Sequence, residues 1–334
     1  MTADPVTLAR ELSDGFLFPG ALEVDASDIV PLDRLDRLAA AGFYGLAGPA
    51  DAGGLGVEDL TTALEIIEIM AAGCLTTTFV WIQHHGAVRA IAGSPQSLRN
   101  AWLQRLCSGD VRAGVAFSGL RRPGPPILTE VQDGDGWRFT GLAPWVTGWG
   151  RVDVVRAAAR REDGDIVWAL IDATAGATLH AEPLRLAAVN ASATVTVSFQ
   201  NHFVPSDRVL AIQSFDEWQV ADRASLRVNG SLALGVARRC ASLLGSDTLL
   251  AELGERRDAL DDASPETMPE QRARASELAV RAATTLMVSG GGRSIAMDHH
   301  AQRLAREALF LLVFGQTTAI KAAQLHRLYD ESHG

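Results

Sequence analysis

The sequence predicts an α+β multidomain fold in which a β domain lies between two helical domains. Apolar residues recur every three or four positions in the first and last thirds of the chain, and every second position in the middle. Hydrophobic residues make up 47% of the 334 residues and charged residues 21%, which is typical of a globular protein with a large core. We expect an N-terminal helical domain over 1–110, a middle antiparallel β-barrel or sandwich over 111–212, and a C-terminal four-helix bundle over 213–334.

The first domain is predicted to consist of helices joined by glycine-rich loops. In PLDRLDRLAAAGF, Leu32, Leu35 and Leu38 share one helical face. After the loop GPADAGGLG, the segments VEDLTTALEIIEIMAAG, TTFVWIQHHGAVRAIAG and SPQSLRNAWLQRLCSG predict three more helices. Ser94 and Pro95 suit the cap and first turn of the last one.

The middle domain is predicted to be built from short strands. GWRFTGLAPWVTG, VDVVRAAARRED, DIVWALIDA and SATVTVSFQNHFVP are rich in β-branched and aromatic residues and are separated by turn sequences such as DGDG. From ASLRVNGSLALGVARRCASLLG onward the pattern predicts helices again. The last segment, DHHAQRLAREALFLLVFGQTTAIKAAQLHRLYD, forms either one helix or two helices joined at Gly315.

Charge and cysteine content exclude several classes of protein. A net charge of −10 argues against nucleic acid or an anionic membrane as the main partner. No apolar run approaches the roughly 20 residues of a membrane helix, and the N-terminus does not resemble a signal peptide. Cys74, Cys107 and Cys240 have no metal-ligand spacing. We therefore expect a reduced cytoplasmic protein without membrane insertion.

Four stretches carry a resemblance to a known family: GFYGLAGPADAGGLG, GWRFTGLAPWVTGWGRVDVV, ASATVTVSFQNHFVPSDRVL and GGGRSIAMDHHAQRLAREALFLLVFGQT. In this order they resemble motifs of the FAD-dependent acyl-CoA dehydrogenase family, and the resemblance covers nearly the whole chain. It implies an acyl-CoA dehydrogenase-like fold, FAD as cofactor and an acyl-CoA or similar thioester as substrate. It also implies a homo-dimer or tetramer, or a hetero-oligomer with a related chain.

The resemblance implies where the flavin is bound. Trp145 and Thr147 of PWVTG fall where the family packs a tryptophan on the flavin ring and bonds the ring with a threonine. The alternative is a tryptophan that closes the end of a barrel. Ser118, in VAFSGLRRPGPP, is a counterpart of a flavin-contacting threonine. The adjacent Arg121 and Arg122 either contact a phosphate or form a solvated loop face.

Four further residues are implied to contact FAD. Gly290 and Gly291 resemble a glycine pair whose backbone approaches the FAD of a neighbouring subunit, although glycine is also common where a helix ends. Arg257 is a weak match to an arginine that the family places against the FAD diphosphate. Thr317 retains the threonine of the family motif Y-E-G-T. The C-terminal region is shorter than the family's, which leaves the adenine end of the site open.

The residue that should abstract a proton is missing from its usual place. The resembled family removes a proton beside the thioester and passes a hydride to the flavin, and the first step requires a base within hydrogen-bond reach. Counting from LAREA puts the usual glutamate at Gly315, and no carboxylate lies between Glu307 and Asp330. Another position used in the family falls near Ser225. Asp222 is a weak candidate base if the register slips by about three residues, or else it caps the following helix.

Three functions therefore remain open. The first is a flavin-dependent oxidoreductase that acts on the CH–CH group of an acyl thioester. The second is a non-catalytic subunit of a hetero-oligomeric acyl-CoA dehydrogenase. The third is a relative of the flavin-dependent monooxygenases that also lack the glutamate.

Two pairs of adjacent histidines are candidate metal ligands. They are His84 with His85 and His299 with His300. Neighbouring side chains on a helix point about 100° apart, so the members of a pair do not easily share one ligand. We expect packing or helix-end roles and no metal site.

Overall fold

The structure, a computed structural model, describes residues 4–57, 59–161 and 164–330. Helices precede the strands and further helices follow them, which confirms the predicted fold class. The exact division into domains at 110 and 212 stays a prediction. None of the described helices is both long enough and apolar enough to cross a membrane.

Eight α-helices of the described chain precede the strands. They are α1 (Pro5–Leu12), α2 (Ala21–Asp25), α3 (Leu32–Ala40), α4 (Leu60–Gly73), α5 (Leu75–Ile82), α6 (His85–Ala92), α7 (Gln96–Leu98) and α8 (Gln104–Ser108). The Asp59 carboxylate caps α4 by accepting a hydrogen bond from the Thr62 amide at 2.7 Å. Most of α4 and α5 is buried, so these two helices form the centre of the N-terminal region.

Eight strands of the described chain form two four-stranded sheets. They are β1 (Ala113–Ala116), β2 (Leu128–Asp133), β3 (Gly136–Val146), β4 (Val154–Arg160), β5 (Asp165–Asp172), β6 (Leu179–Pro183), β7 (Val195–Pro205) and β8 (Val209–Ser214). One sheet has the order β1-β4-β5-β8 and the other β2-β3-β7-β6. The pairing of β1 with β4 is parallel and departs from the expected antiparallel pattern. It is parallel because the chain crosses to the second sheet as β2 and β3 before it returns.

Five α-helices of the described chain follow the strands. They are α9 (Phe215–Leu244), α10 (Asp247–Asp261), α11 (Met268–Gly290), α12 (His300–Val313) and α13 (Thr318–Asp330). The last predicted helical segment is thus two helices, separated at Gly315. Helix α9 begins about nine residues earlier than the sequence pattern predicted, because Ser214 and Glu217 form a capping box.

The helices on both sides of the strands share one hydrophobic core. Helices α4 and α9 approach closely at Gly235, where a Cβ atom would lie 2.5 Å from the Glu68 carbonyl oxygen. A glycine is therefore required for this contact. The packing brings α9 and α12 against α5, beside the edge of the β1-β4-β5-β8 sheet.

Candidate active site

A cavity of about 1130 Å³ lies where helices α5 and α6, strands β1, β3 and β4, and helices α9 and α12 meet. Its volume is comparable to the largest sites that bind small molecules. Much of its lining is aromatic, as expected for a site that holds flat or apolar groups. The aromatic lining residues are Phe79, Phe117, Trp145, Trp168, Trp218, Phe310 and Phe314.

The charged lining of the cavity is strongly positive. Its described cations are Arg89, Arg121, Arg122, Arg156, Arg306 and Lys321. Asp222 is the only carboxylate among the described lining residues. This excess of cations contrasts with the net charge of −10 for the whole chain. The cavity therefore suits an anionic ligand.

Most of the sequence-predicted site residues line this one cavity. They are Ser118, Trp145, Thr147, Asp222, Gly315 and Thr317. They come from four separate parts of the chain, so the fold brings together residues that lie far apart in the sequence. Arg257, Gly290 and Gly291 are not among the lining residues.

Trp145 presents its indole to the cavity from a strained position. It lies within a β-bulge, where the pairing of β3 with β7 shifts between Ala143 and Val146. Its φ is 60°, in the left-handed region that bulky side chains rarely adopt, and 54% of the residue is exposed. Bulges of this kind turn a side chain away from the regular alternation of a strand and are frequent beside active sites. The sequence did not predict this bulge.

The two predicted flavin-contacting hydroxyl groups are held in place by hydrogen bonds. Thr147, just beyond β3, is buried, and its Oγ1 lies 3.1 Å from Oγ1 of Thr194. The Thr194 hydroxyl also bonds that of Ser192, at 2.8 Å. The Ser118 hydroxyl donates to the Pro144 carbonyl oxygen, which joins the turn after β1 to the strand that carries Trp145.

Another part of the cavity lining contains Gly315, where the resemblance placed a glutamate. Its φ is 62°, a conformation that favours glycine. A Cβ atom here would lie 2.5 Å from Nδ2 of Asn229 and 3.9 Å from Nη1 of Arg121. The Asn229 amide thus occupies the space that a side chain at this position would need first.

Asp222 lines the cavity on the inner side of α9 and is paired with Arg121. Nε of Arg121 donates to one carboxylate oxygen at 2.9 Å and Nη2 donates to the other at 2.7 Å. Asp222 lies seven residues inside the helix, so it is not the cap of that helix. Ser225 lines the same wall, and its hydroxyl donates to the Asp222 carbonyl oxygen. Arg121 forms this ion pair, whereas Arg122 only lines the cavity.

The segment after Gly315 is fixed by side-chain hydrogen bonds. Thr317 Oγ1 accepts from the Ile320 amide at 3.2 Å, at the start of α13. Gln316 donates to the Gln324 side chain at 2.8 Å. Gln316 is neutral and offers no base to the cavity.

Arg257 and the glycine pair have other surroundings. Arg257 makes two hydrogen bonds to Glu68, at 3.0 and 2.7 Å, and Glu68 is buried in α4. The contact between Arg257 and Glu68 connects α10 to the core of the chain. Gly290 and Gly291 lie where α11 ends, and Gly291 has an exposed, left-handed backbone with φ of 61°. Within a single chain, neither approaches the cavity.

The four histidines have the helix-end and packing surroundings that the sequence predicted. His84 accepts a hydrogen bond from the Ala113 amide at Nδ1 and donates from Nε2 to the Leu106 carbonyl, both at 3.0 Å. Burial lowers the pKa of His84 to about 3, so it is neutral and joins α8 to β1. His85 is buried against Trp81, His299 caps α12, and His300 stacks on Phe18. The described residues contain no cluster suited to a metal ion.

A second group of cavity residues was not predicted. Arg156 of β4 lies with its Cζ 3.7 Å from the centre of the Trp168 ring, and Gly86 of α6 lies opposite. Burial, together with the nearby Arg89, lowers the pKa of Arg156 to about 10, so it stays charged at neutral pH. The sequence does contain an indication of this group, the arginine within the apolar strand VDVVRAAA. An unpaired charge is rarely buried without a function.

Comparison with known proteins finds similarity to acyl-CoA dehydrogenases. Residues 6–110 match the family described as "Acyl-CoA dehydrogenase, N-terminal domain". The human mitochondrial short-chain specific acyl-CoA dehydrogenase is 25% identical over 244 residues, which are 69% of this chain and 58% of that protein. The first third of the chain therefore resembles the N-terminal domain of acyl-CoA dehydrogenases. The 3-sulfinopropanoyl-CoA desulfinase of Variovorax paradoxus is 30% identical over 167 residues, which are 47% of this chain and 40% of that protein.

Solved structures of acyl-CoA dehydrogenases share the fold over the whole described chain. The butyryl-CoA dehydrogenase of Megasphaera elsdenii has a TM-score of 0.82 at 16% identity and covers 98% of this chain and 97% of its own. The complex of glutaryl-CoA dehydrogenase with glutaryl-CoA also has a TM-score of 0.82 at 16% identity, over 98% and 94% of the two chains. In the sequence alignments, by contrast, the chain spans about half the length of the curated relatives it matches.

Proposed function

We propose that the chain is a flavin-dependent oxidoreductase of the acyl-CoA dehydrogenase type that acts on the CH–CH group of an acyl thioester. The observation that carries this proposal is the meeting of Ser118, Trp145 and Thr147 in one large cavity. The hydroxyl groups of Ser118 and Thr147 are fixed by hydrogen bonds, and the Trp145 indole is exposed at a strained bulge. Strain of this kind persists where the surrounding structure enforces it and is frequent at functional sites.

The residues present fit FAD, the cofactor that the family implies. The Trp145 indole offers a flat apolar face for the flavin ring, and the hydroxyl groups of Ser118 and Thr147 offer hydrogen bonds to its polar edge. Arg122 and Lys321 line the cavity without an ion pair to any residue that the structure describes, and they would meet phosphate groups. When bound, FAD supplies a two-electron acceptor. Among proteins of similar fold, a glutaryl-CoA dehydrogenase of Mycobacterium smegmatis has been solved in complex with FADH2 and PigA with FAD and proline.

Asp222 is the proposed base. It is the only described carboxylate of the lining, and it lies on the same wall as Gly315. Arg121 occupies both of its oxygens, so Asp222 can accept the proton beside the thioester carbonyl only after this ion pair opens. Arg121 lies close enough to Gly315 to remain on this wall when it is released. We infer that substrate binding competes with the ion pair for Arg121.

We also propose that the chain assembles with a second copy or a related chain. Val288 and Ile295, at the end of α11 and just after it, are 75% and 72% exposed beside Gly290 and Gly291. Exposed apolar groups of this kind are typical of surfaces between subunits. Sedimentation analysis of the purified chain tests this point, and a monomer at micromolar concentration would contradict it. A cytoplasmic location is supported by three buried, free cysteines.

The test of the activity is to load the purified chain with FAD and add an acyl-CoA under argon. Bleaching of the oxidised flavin is the expected result. Flavin binding that requires a co-expressed related chain would favour a non-catalytic subunit instead. Stable flavin that acyl-CoA leaves oxidised, and that reacts with oxygen when a separate reductase supplies electrons, would favour a monooxygenase.

A further inference from the structure

The side of the cavity formed by α6 and β4 carries two arginines without partners. Within the described parts of the chain, neither Arg89 nor Arg156 forms a hydrogen bond or an ion pair with a side chain. Nε of Arg156 is buried and without a hydrogen-bond partner. Arg121, on the same cavity, faces a carboxylate instead. A partly buried guanidinium without a carboxylate partner, on the wall of a cavity, indicates a binding site for an anion.

Trp168 is the second observation that points to a ligand at this place. It lies beneath the Arg156 guanidinium, and its buried Nε1 also has no hydrogen-bond partner. A buried indole N–H usually finds one. The pairing of β5 with β8 shifts between Trp168 and Ala169, so this ring, like Trp145, lies at a bulge. Two residues that line the cavity and stack on each other, one of them charged, therefore each have a buried donor atom without a partner.

The position of Arg156 relative to the proposed reaction site identifies which part of the ligand it meets. The Arg156 guanidinium stacks on Trp168, and Trp168 contacts Phe117 with ring centres 5.7 Å apart. Arg121 lies 5.6 Å from the Phe117 ring and pairs with Asp222. Two aromatic rings thus separate Arg156 from the proposed base. A short chain that begins at the reacting carbons can span this apolar stretch.

We propose that Arg156, assisted by Arg89, binds an anionic group at the far end of the acyl chain, such as a carboxylate. This inference rests on the proposed function, because it assigns the class of acyl group that this site takes. The planar guanidinium suits a carboxylate through two parallel hydrogen bonds. The apolar rings between Arg156 and Asp222 suit the methylene groups that connect the two ends. The substrate class is therefore the dicarboxylic acyl thioester rather than the fatty acyl thioester.

The experiment measures binding to the FAD-loaded chain by calorimetry with three matched pairs of coenzyme A thioesters. Succinyl, glutaryl and adipoyl thioesters are compared with butanoyl, pentanoyl and hexanoyl thioesters, with free coenzyme A as the third arm. We expect at least one dicarboxylic thioester to bind about tenfold more tightly than its partner of equal length. Equal or weaker binding of all three would overturn the inference and leave the proposed function intact. Failure of every thioester to bind would overturn both.

Variants separate the acyl anion from the phosphates of coenzyme A. Arg156→Met should abolish the preference for the dicarboxylic thioester and leave the affinity for the neutral one and for free coenzyme A unchanged. Arg156→Lys should retain part of the preference, because it keeps the charge and loses the planar geometry. Equal weakening of all three ligands would assign the arginine to coenzyme A and overturn the inference. If Arg156→Met fails to fold, the comparison of matched thioesters on the unaltered chain still decides.

Arg160→Met is the matched control. Arg160 lies four residues along the same strand, with its Cζ 3.5 Å from the centre of the Phe215 ring, and it does not line the cavity. Its loss should leave the preference for dicarboxylic thioesters unchanged. A loss of preference in this control equal to that of Arg156→Met would show a general effect of charge on the strand and would contradict a specific site.

Discussion

Two parts of the cavity wall use the same unusual backbone conformation for opposite purposes. On the β3 wall, Trp145 has a φ of 60°, and on the α12 wall, Gly315 has a φ of 62°. A tryptophan in the left-handed region costs about 1–3 kcal/mol, whereas a glycine adopts it freely. The first wall is therefore strained to present a side chain. The second wall has no side chain, and Asn229 lies where one would begin.

This difference separates the binding of a cofactor from the removal of a proton. The first wall has the indole and hydroxyl groups that suit a flavin ring, at the positions where the resemblance places them. The second wall has a glycine where the resemblance places a glutamate, and it contains an arginine–aspartate pair. Under the proposed function, the first wall binds the flavin and Asp222 of the second wall abstracts the proton. Four predictions test the contrast between the walls, in order of decreasing effect.

The largest effect is expected for Asp222→Asn, on the α9 side. If Asp222 is the base, the rate at which an acyl-CoA bleaches the bound flavin should fall by about 100-fold or more, since general bases contribute factors of this size. Affinity for FAD should not change. Stopped-flow absorption under argon measures the rate. Asp216→Asn, on the first turn of the same helix and exposed, is the control. An undiminished rate in Asp222→Asn would remove Asp222 from the mechanism.

The second effect concerns Trp145→Ala on the flavin wall. Loss of the indole should weaken FAD binding by about tenfold, the loss expected for one aromatic stacking contact. The free energy of unfolding should change little or rise, because a half-exposed side chain and a strained backbone position are both altered. Fluorescence titration with FAD measures the affinity. Trp102→Ala, a partly buried tryptophan outside the cavity, is the control, and equal weakening by both would refute our placement of the flavin.

The third effect concerns the stability of the Gly315 wall. Gly315→Ala should lower the free energy of unfolding by about 1–2 kcal/mol through its positive φ, with an added steric cost against Asn229. Asn229→Ala should remove only the steric cost of the new side chain. The loss in free energy of unfolding of the double variant should therefore be smaller than the sum of the losses of the two single variants. Urea unfolding measures all three. Strict additivity would mean that Asn229 does not occupy this space.

The smallest effect concerns His84, which fixes α8 and β1 behind the cavity. Folding lowers the pKa of His84 to about 3. Below pH 6.5 the unfolded chain therefore binds a proton at this histidine that the folded chain excludes. The free energy of unfolding should therefore fall as the pH drops from 6.5 toward 3. The His84 share between pH 7.5 and 6 is below about 1 kcal/mol. His84→Gln should flatten this dependence, and an unchanged slope would contradict the assignment.

Local pattern was sufficient for the order of helices and strands. Hydrophobic spacing and turn residues act over a few positions, so they can be read from the chain directly. The start of α9 was also accessible, because Ser214 and Glu217 have the spacing of a capping box. The prediction placed the helix start later because the first residues of α9 include exposed apolar groups such as Val220.

Contacts across the cavity were not accessible from local pattern. Arg121 and Asp222 are 101 residues apart, and Asn229 meets Gly315 only because α9 and the end of α12 converge. The bulges at Trp145 and Trp168 arise from the register between strands, which the alternation within one strand does not reveal. Arg156 was visible as a charge in an apolar strand, but its contact with Trp168 depends on the neighbouring strand.

The most direct test of the account is a titration of the purified chain with FAD, followed by visible absorption. The account predicts uptake of one FAD per chain, with the shifted and structured absorption band of a flavin in an apolar, hydrogen-bonded site. A colourless protein that takes up no FAD, alone or after assembly with further copies of itself, would contradict the assignment of the Trp145 wall and the function proposed for the cavity.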